Sequence, residues 1–479
     1  MTVQIHGGSV SFTRELAAGH APILSRTGLV VGIALLSGCA SYTPRPADPF
    51  DALEKLDRRS KDSHALKVQA QGSQEWLPLK PDIDFTDGLD LPEANALALA
   101  FSPEARSARR KQKVAGAQLL GAGLLKNPEI FLGPRISSSG NGLIFPVGLS
   151  WELPLWGQRE AQRSLAHRKL TVSEARVAAA ELSVLTEVRA AFIHIASIGK
   201  TVKTLEAQLV GSERVLQWAG ALKQAGEIDG VTSYLAKLDR DEAKADLEGL
   251  RHELQSARRN LLKTIGLLPN AELSIQLEPD PAAMPELPAL NREKMALHPR
   301  IASALNEYET AEASLKLEIA SQYPAIRIGP EFESEKGEAS IGLGAGAELP
   351  LFDRNRGGIA AAEQFREAAR ENIAAELLNL SHTEAQARAE YLANERILGG
   401  YRAGALADAL EARKSLDLRL QAGQSNVLEV LAGLRSLAGA RVRELELERA
   451  STTARFRAAV AGGAALKDPA QKDSTKEQE

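Results

Sequence analysis

Two pairs of short stretches alternate apolar and polar residues with a period of two. In one, Leu143, Phe145, Val147, Leu149 and Trp151 alternate with Ile144, Pro146, Gly148, Ser150 and Glu152; in the other, Ile341, Leu343, Ala345 and Ala347 alternate with Gly342, Gly344 and Gly346. A period of two with one apolar face predicts β-strands. Their partners run over residues 128–138 and 324–335, and the Ser-Gly-Asn-Gly (139–142) and Lys-Gly (336–337) segments predict hairpin turns around Gly140 and Gly337. A helical pattern precedes each hairpin, over 91–125 and 299–322. Long Pro-free tracts follow each one, over 155–268 and 351–468, rich in the helix formers Ala, Leu, Glu, Arg and Gln. Gly226 and Gly423 interrupt the tracts, so each is expected to form two helices, with lengths between about 40 and 65 residues. Leu247, Leu250, Leu254, Ala257 and Leu261 keep a 3-4-3 heptad spacing that favours coiled-coil packing.

The same order occurs twice because the chain is duplicated. A shift of 196 lays Pro103 on Pro299, Pro128 on Pro324, Gly133-Pro134 on Gly329-Pro330, and Glu152-Leu153-Pro154-Leu155 on Glu348-Leu349-Pro350-Leu351. Gln224-Ala225-Gly226 meets Gln421-Ala422-Gly423 with a one-residue slip, and Leu235 and Leu238 meet Leu431 and Leu434 back at the original offset. The unit of about 200 residues is far longer than a solenoid repeat. The expected fold is mainly α with a β-hairpin pair. Its domains are residues 1–38, a signal peptide; 39–88, an N-terminal tether; 89–268, a first repeat with its hairpin at about 127–153; 269–297, a linker; 298–463, a second repeat with its hairpin at about 323–349; and 464–479, a polar tail.

Composition narrows the function. Only 4% of the 479 residues are aromatic, and the formal charge of −4 supplies no basic field for a phosphate backbone, which argues against nucleic acid as a partner. The mean hydropathy of −0.19 argues against a bundle of membrane-spanning helices but not against a β-barrel, whose strands are apolar on one face only. One cysteine and eight scattered histidines provide no metal-ligand spacing. Neither a nucleophile–base set nor a cofactor fingerprint occurs, so no enzyme, cofactor or metal site is expected.

That single cysteine ends a secretory pattern. Arg26 precedes an apolar run through Leu29, Val30, Val31, Ile33, Ala34, Leu35 and Leu36, too short to span a bilayer. The ending Leu36-Ser37-Gly38-Cys39 resembles the bacterial lipobox, which implies acylation of Cys39 as the mature N-terminus. Two or more acyl chains anchor a protein stably. By the same resemblance, Ala40 favours sorting to the outer membrane.

Four strands of about ten residues are long enough to cross a bilayer when tilted, yet too few to close a barrel, and open edges in lipid are costly. Three copies supply about twelve strands and a lumen, so the strand count predicts a homotrimer. From residue 89 to 461 the chain resembles the TolC-like outer membrane efflux factors, on its duplication, the ELPL strand ends and the two QAG segments. The resemblance implies a trimeric outer membrane β-barrel continued by a periplasmic α-helical barrel. It also implies two partners, a periplasmic adaptor and a proton-driven inner membrane pump. Pro350-Leu351-Phe352-Asp353-Arg354-Asn355-Arg356-Gly357 resembles the PLFDRNxG segment of the metal-cation branch, whereas Pro154-Leu155-Trp156-Gly157-Gln158-Arg159 departs from it. Conduits for drugs or for type I protein secretion share the fold, and a lipid-anchored coiled-coil scaffold without a pore is the remaining alternative.

The resemblance further implies that the periplasmic end closes where helices turn at Gly423, with Glu429 as an acid facing the pore. Ala432 stands where some relatives carry another acid, and the first-repeat turn lacks an acid at Thr232 or Ser233. Glu331, Glu333 and Glu335 share one strand face opposite Phe332 and are expected to line a lumen or an outer vestibule. Asp239-Arg240-Asp241-Glu242 and Glu444-Leu445-Glu446-Leu447-Glu448 read as exposed helix faces. His167, His194 and His252 have no expected ligand role.

Overall fold

The computed structural model describes residues 42–61, 88–133, 135–136, 143–144, 146–271, 273–276, 295–335 and 338–463. Cys39, the Gly140 and Gly337 turns, most of the expected linker and the C-terminal tail lie outside the described residues.

Helix α1 spans Pro49–Lys61. The first repeat then runs α2 (Leu91–Phe101), α3 (Pro103–Gly121), β1 (Glu129–Leu132), β2 (Arg135–Ile136), β3 (Leu143–Ile144), β4 (Val147–Leu153), α4 (Gln158–Gln224) and α5 (Gly230–Ile265). The second runs α6 (Pro299–Ser321), β5 (Ile326–Glu335), β6 (Glu338–Ala347), α7 (Arg356–Tyr401), a π-helical turn (Arg402–Leu406), α8 (Ala407–Gln421) and α9 (Val427–Ala461). Repeat order and hairpin positions agree with the sequence reading. One expected long helix is interrupted: the 66 residues from Arg356 to Gln421 are divided by the π turn, which no sequence signal had indicated.

Local chemistry sets the boundaries. Asp90 caps α2 by accepting from the Glu93 backbone N–H at 2.7 Å, while the Glu93 carboxylate accepts from the Asp90 N–H at 3.0 Å, a reciprocal capping box. Both long tracts turn through the same geometry. Gly226 and Gly423 adopt φ of +78° and +70°, a region open to glycine without a Cβ penalty. The next N–H closes each turn, Glu227 onto Leu222 O at 2.9 Å and Gln424 onto Arg419 O at 2.8 Å.

The core is assembled where the helices converge. Leu97, Val188, Phe192, Ile195, Leu261 and Ile265 pack α2, α4 and α5 together. Leu247, Ala257 and Leu261 of the expected heptad are buried, and Leu250 and Leu254 pack beside that cluster. Helix α4 is long and apolar enough to cross a membrane by composition, but its apolar run is this core seam. A second cluster joins the repeats near the turns, through Val215, Ala219 and Ala236 of the first and Val427, Val430 and Leu431 of the second.

The strands form one four-stranded antiparallel sheet, ordered β1-β4-β5-β6. Hairpin one is interrupted at Gly133 and Pro146, yet β2 and β3 keep the register of β1 and β4: Leu132 pairs with Val147, and Arg135 with Ile144. The β4–β5 ladder joins the repeats and skips Leu149 and Ser150, opposite Pro330, which has no N–H to donate.

Candidate functional site: a two-faced sheet and a paired helical turn

The register sorts the sheet into two chemically different faces. Phe332 pairs with Val147 and Ile341, Ile328 with Trp151 and Ala345, and Pro330 with Leu343. All of these side chains therefore share one face, with Leu132 and Ile130 of β1 continuing it. Ile341 is 81% exposed and Leu343 78%. Such an apolar band on a folded protomer marks contact with lipid or protein. The other face carries Arg327, Glu331, Glu333, Ser340, Gly342, Gly344 and Gly346. Glu331 stands opposite Gly148, which the Phe131 ring covers, and Gly342, which leaves open space over β6. The structure thus brings Glu331 and Glu333 to one face, as their alternation implied. Glu335 ends the strand paired with Glu338, and its side chain lies outside the described residues.

At the junction of sheet and helices the two repeats are tied together. Trp156 Nε1 donates to Pro324 O at 2.8 Å, Gln158 Nε2 donates to Tyr323 O at 3.0 Å, and the Trp156 and Tyr323 rings lie 5.7 Å apart. In the Asp-Arg-Asn-Arg segment, Asn355 adopts φ of +54° and its Nδ2 donates to Glu318 O at 2.9 Å and Oε2 at 2.6 Å. The Asp353 carboxylate accepts from the Asn355 N–H at 2.8 Å. This segment is therefore a strand-to-helix latch onto the end of α6.

At the far end of the helices, Asn426 caps α9 by accepting from the Glu429 N–H at 2.9 Å. Glu429 has a partner within its own chain. Arg419 Nη2 donates to its carboxylate at 2.9 Å and to Gln424 O at 3.2 Å, stapling the Gly423 turn. In the first repeat Asp229 fills the Asn426 role, and its bonds from Thr232 hold its carboxyl below the usual range.

Two of the expected exposed faces are corrected. Asp239 is 1% exposed, because α4, α5 and α9 converge on it: Ser212 Oγ donates to it at 2.6 Å, and Arg435 of the second repeat pairs with it. Arg435 also reaches Glu242 at 2.7 Å, and the bond to Asp239 holds its guanidinium above the ordinary range. Glu444 is likewise not a free surface acid. Arg402, the first residue of the π turn, pairs with it at 2.7 Å and with Glu448 at 3.0 Å, while Arg441 pairs with Glu444 from the same helix at 2.9 Å. Burial pushes the Glu444 carboxyl up, but the two arginines outweigh it and hold it below the ordinary range. Burial lowers His194, with Arg449 adding to it and Glu253 opposing. Among the described residues no group of three or more His, Cys, Asp or Glu could hold a metal ion.

The chain is thus a duplicated helical hairpin carrying two β-hairpins whose sheet has an apolar face and a face with carboxylates. Residues 96–267 match the family described as Outer membrane efflux protein. It is 24% identical over 295 residues to the cobalt-zinc-cadmium resistance protein CzcC of Cupriavidus metallidurans, covering 61% of this chain and 71% of that one. It is 26% identical over 474 residues to the pyoverdine export outer membrane protein OpmQ of Pseudomonas aeruginosa, covering 91% and 96%. Among solved structures, CusC superposes with a TM-score of 0.66 at 18% identity over 81% of this chain and 96% of that one. The outer membrane protein VceC of Vibrio cholerae superposes at 0.65 and 19% identity over 78% and 96%. The fold is therefore that of the TolC-like outer membrane channels.

Proposed function

We propose that the protein is the outer membrane conduit of a tripartite efflux system, a homotrimer that passes heavy-metal cations handed over by a proton-driven inner membrane pump through a periplasmic adaptor. The observation that carries this reading is the two-faced sheet with unpaired edges at β1 and β6. In lipid each unsatisfied backbone group costs several kcal/mol, so the edges require further strands, which two more copies supply. The apolar face then meets lipid, and Glu331, Glu333 and Glu335 line the water-filled lumen or its outer vestibule. Metal-cation cargo is supported by the likeness to CzcC and by the Asp-Arg-Asn-Arg latch. The likeness to OpmQ supports the second reading, export of an organic molecule through the same conduit.

The Gly423 turn is the periplasmic gate in this reading, with three copies of Glu429 around the axis. Purified protein added to a planar bilayer is expected to open cation-preferring channels. Glu429→Gln should weaken that preference, and Arg419→Ala, which frees the carboxylate, should strengthen it. No conductance from the wild type sinks the conduit; equal selectivity in all three proteins removes Glu429 from the gate. A strain lacking the gene identifies the cargo: lost tolerance to cobalt, zinc or cadmium supports the metal reading, whereas lost export of a siderophore or drug alone supports the second.

Cys39 is the acylated mature N-terminus. The intact mass is expected to show cleavage before Cys39 plus acyl chains, and Cys39→Ser to leave an unacylated precursor. An acylated Cys39→Ser protein contradicts the assignment.

A further inference from the structure

The four helices nearest the sheet form a row, α3 against α4, α4 against α6, and α6 against α7. Arginine–glutamate pairs bridge every step of it. Arg109 meets Glu181 at 2.7 Å between α3 and α4, and Arg176 meets Glu307 at 2.8 Å between α4 and α6. Between α6 and α7, Arg366 meets Glu312 at 3.7 Å and Arg300 meets Glu376 at 2.8 Å. In that last step the antiparallel helices pair residues at equal heights from the sheet. Arg366 lies ten residues after the α7 start and Glu312 nine before the α6 end; Glu376 and Arg300 lie twenty and twenty-one residues away.

The two ends of the row are left with opposite charge. Helix α3 and the first nineteen residues of α4 hold ten arginines and lysines against three acids, while α6 and the first nineteen residues of α7 hold five against seven. On α3, Arg106, Arg110 and Lys113 are exposed at helical spacing and without an ion-pair partner among the described residues. On α7, Glu363 and Glu371 are exposed and likewise without one, with Glu367 between them held by Arg366 and Arg370 of its own helix.

We infer that α7 of one protomer docks antiparallel on α3 of a second copy, so that Glu363, Glu367 and Glu371 face the partner's Lys113, Arg110 and Arg106. The heights agree. Lys113, Arg110 and Arg106 lie eight, eleven and fifteen residues before the α3 end, and Glu363, Glu367 and Glu371 lie seven, eleven and fifteen after the α7 start. Because one end of the row meets the other, the contact is heterologous, and it repeats until the ring closes. It gives the α-helical wall its own closure, separate from strand pairing, and selects head-to-tail over face-to-face association by charge. The inference rests on the ring assembly proposed above.

The test joins Lys113→Cys and Glu363→Cys in one chain, treats the detergent-extracted protein with a short bismaleimide, and follows cross-linked bands. The expected result is a ladder that ends at three chains, with neither single-cysteine variant giving one. Lys113→Glu should weaken assembly by about tenfold in the concentration at half dissociation, and Lys113→Glu with Glu363→Lys should recover most of it. A wild type that is trimeric by native mass spectrometry, yet gives no ladder from the cysteine pair and no loss on charge reversal, overturns this pairing and leaves the ring standing. A monomeric wild type overturns the ring itself and the pairing with it. If reversing the three basic residues of α3 abolishes binding to phosphatidylglycerol vesicles while assembly is unchanged, the stripe faces lipid headgroups and the inference is wrong.

Discussion

Arg435→Met is expected to destabilise the protomer by about 3 kcal/mol, the low end of the cost of stranding one member of a buried ion pair. Asp239 is almost wholly buried, and among the described residues Ser212 and Arg435 satisfy its carboxylate. Removing the guanidinium leaves a charge in an apolar seam beside Ala219, Ala236 and Val430 with one hydroxyl for compensation. The low end applies because Arg435 is itself 50% exposed, so water reaches part of the site. Denaturant unfolding of the detergent-extracted protein, followed by circular dichroism, gives the number. Arg435→Met with Asp239→Leu should recover much of the loss, since replacing both charges removes the stranded one. An Arg435→Met protein as stable as the wild type would mean that the ion pair adds nothing net to the fold.

The second large effect is expected from Gly329→Ala. A Cβ at this position would overlap Leu149 O, so β4 and β5 cannot keep their spacing with any side chain there. That ladder is the seam between the two hairpins. Without it each chain presents two separate two-stranded ribbons, which are marginal by themselves. Gly329→Ala should therefore abolish heat-stable oligomers and bilayer conductance while leaving helical circular dichroism nearly unchanged, because the helix core lies elsewhere. Gly346→Ala is the control: it lies on the same face, and nothing is within 4 Å of its Cβ position. Equal behaviour of the two variants would show that the β4–β5 contact is dispensable.

The large features were legible in the sequence because each has its own period. The duplication appears at one offset, the hairpins as an alternation of two, and the helices as long Pro-free tracts with a glycine at the turn. The Glu331 and Glu333 face followed from the same alternation. What escaped depends on which helices meet. Asp239 sits among Arg240, Asp241 and Glu242, a run that reads as solvated, and only the convergence of three helices buries one of its members. Glu444 was misread for the same reason, since Arg402 is 42 residues away. The Arg419–Glu429 staple needed the turn geometry, which places residues ten apart side by side. The π turn at Arg402–Leu406 falls in Ala, Gly and Leu, whose propensities are indifferent to one extra residue per turn. The Asp-Arg-Asn-Arg segment was recognisable as a string, but its work as a latch on Glu318 was visible only in three dimensions.

Asp239 and Arg435 are separated by 196 residues, the same interval that superposes one half of the chain on the other. Each therefore occupies the place in its own half that the other occupies in its half, and the contact sets a position against its own duplicate. In two identical separate polypeptides the residue at this place would meet itself, and two ionised carboxylates there would repel. With both copies in one chain, the two sides need not be the same residue. An acid on one side and a base on the other is attainable through independent substitutions only when the two copies lie in one chain.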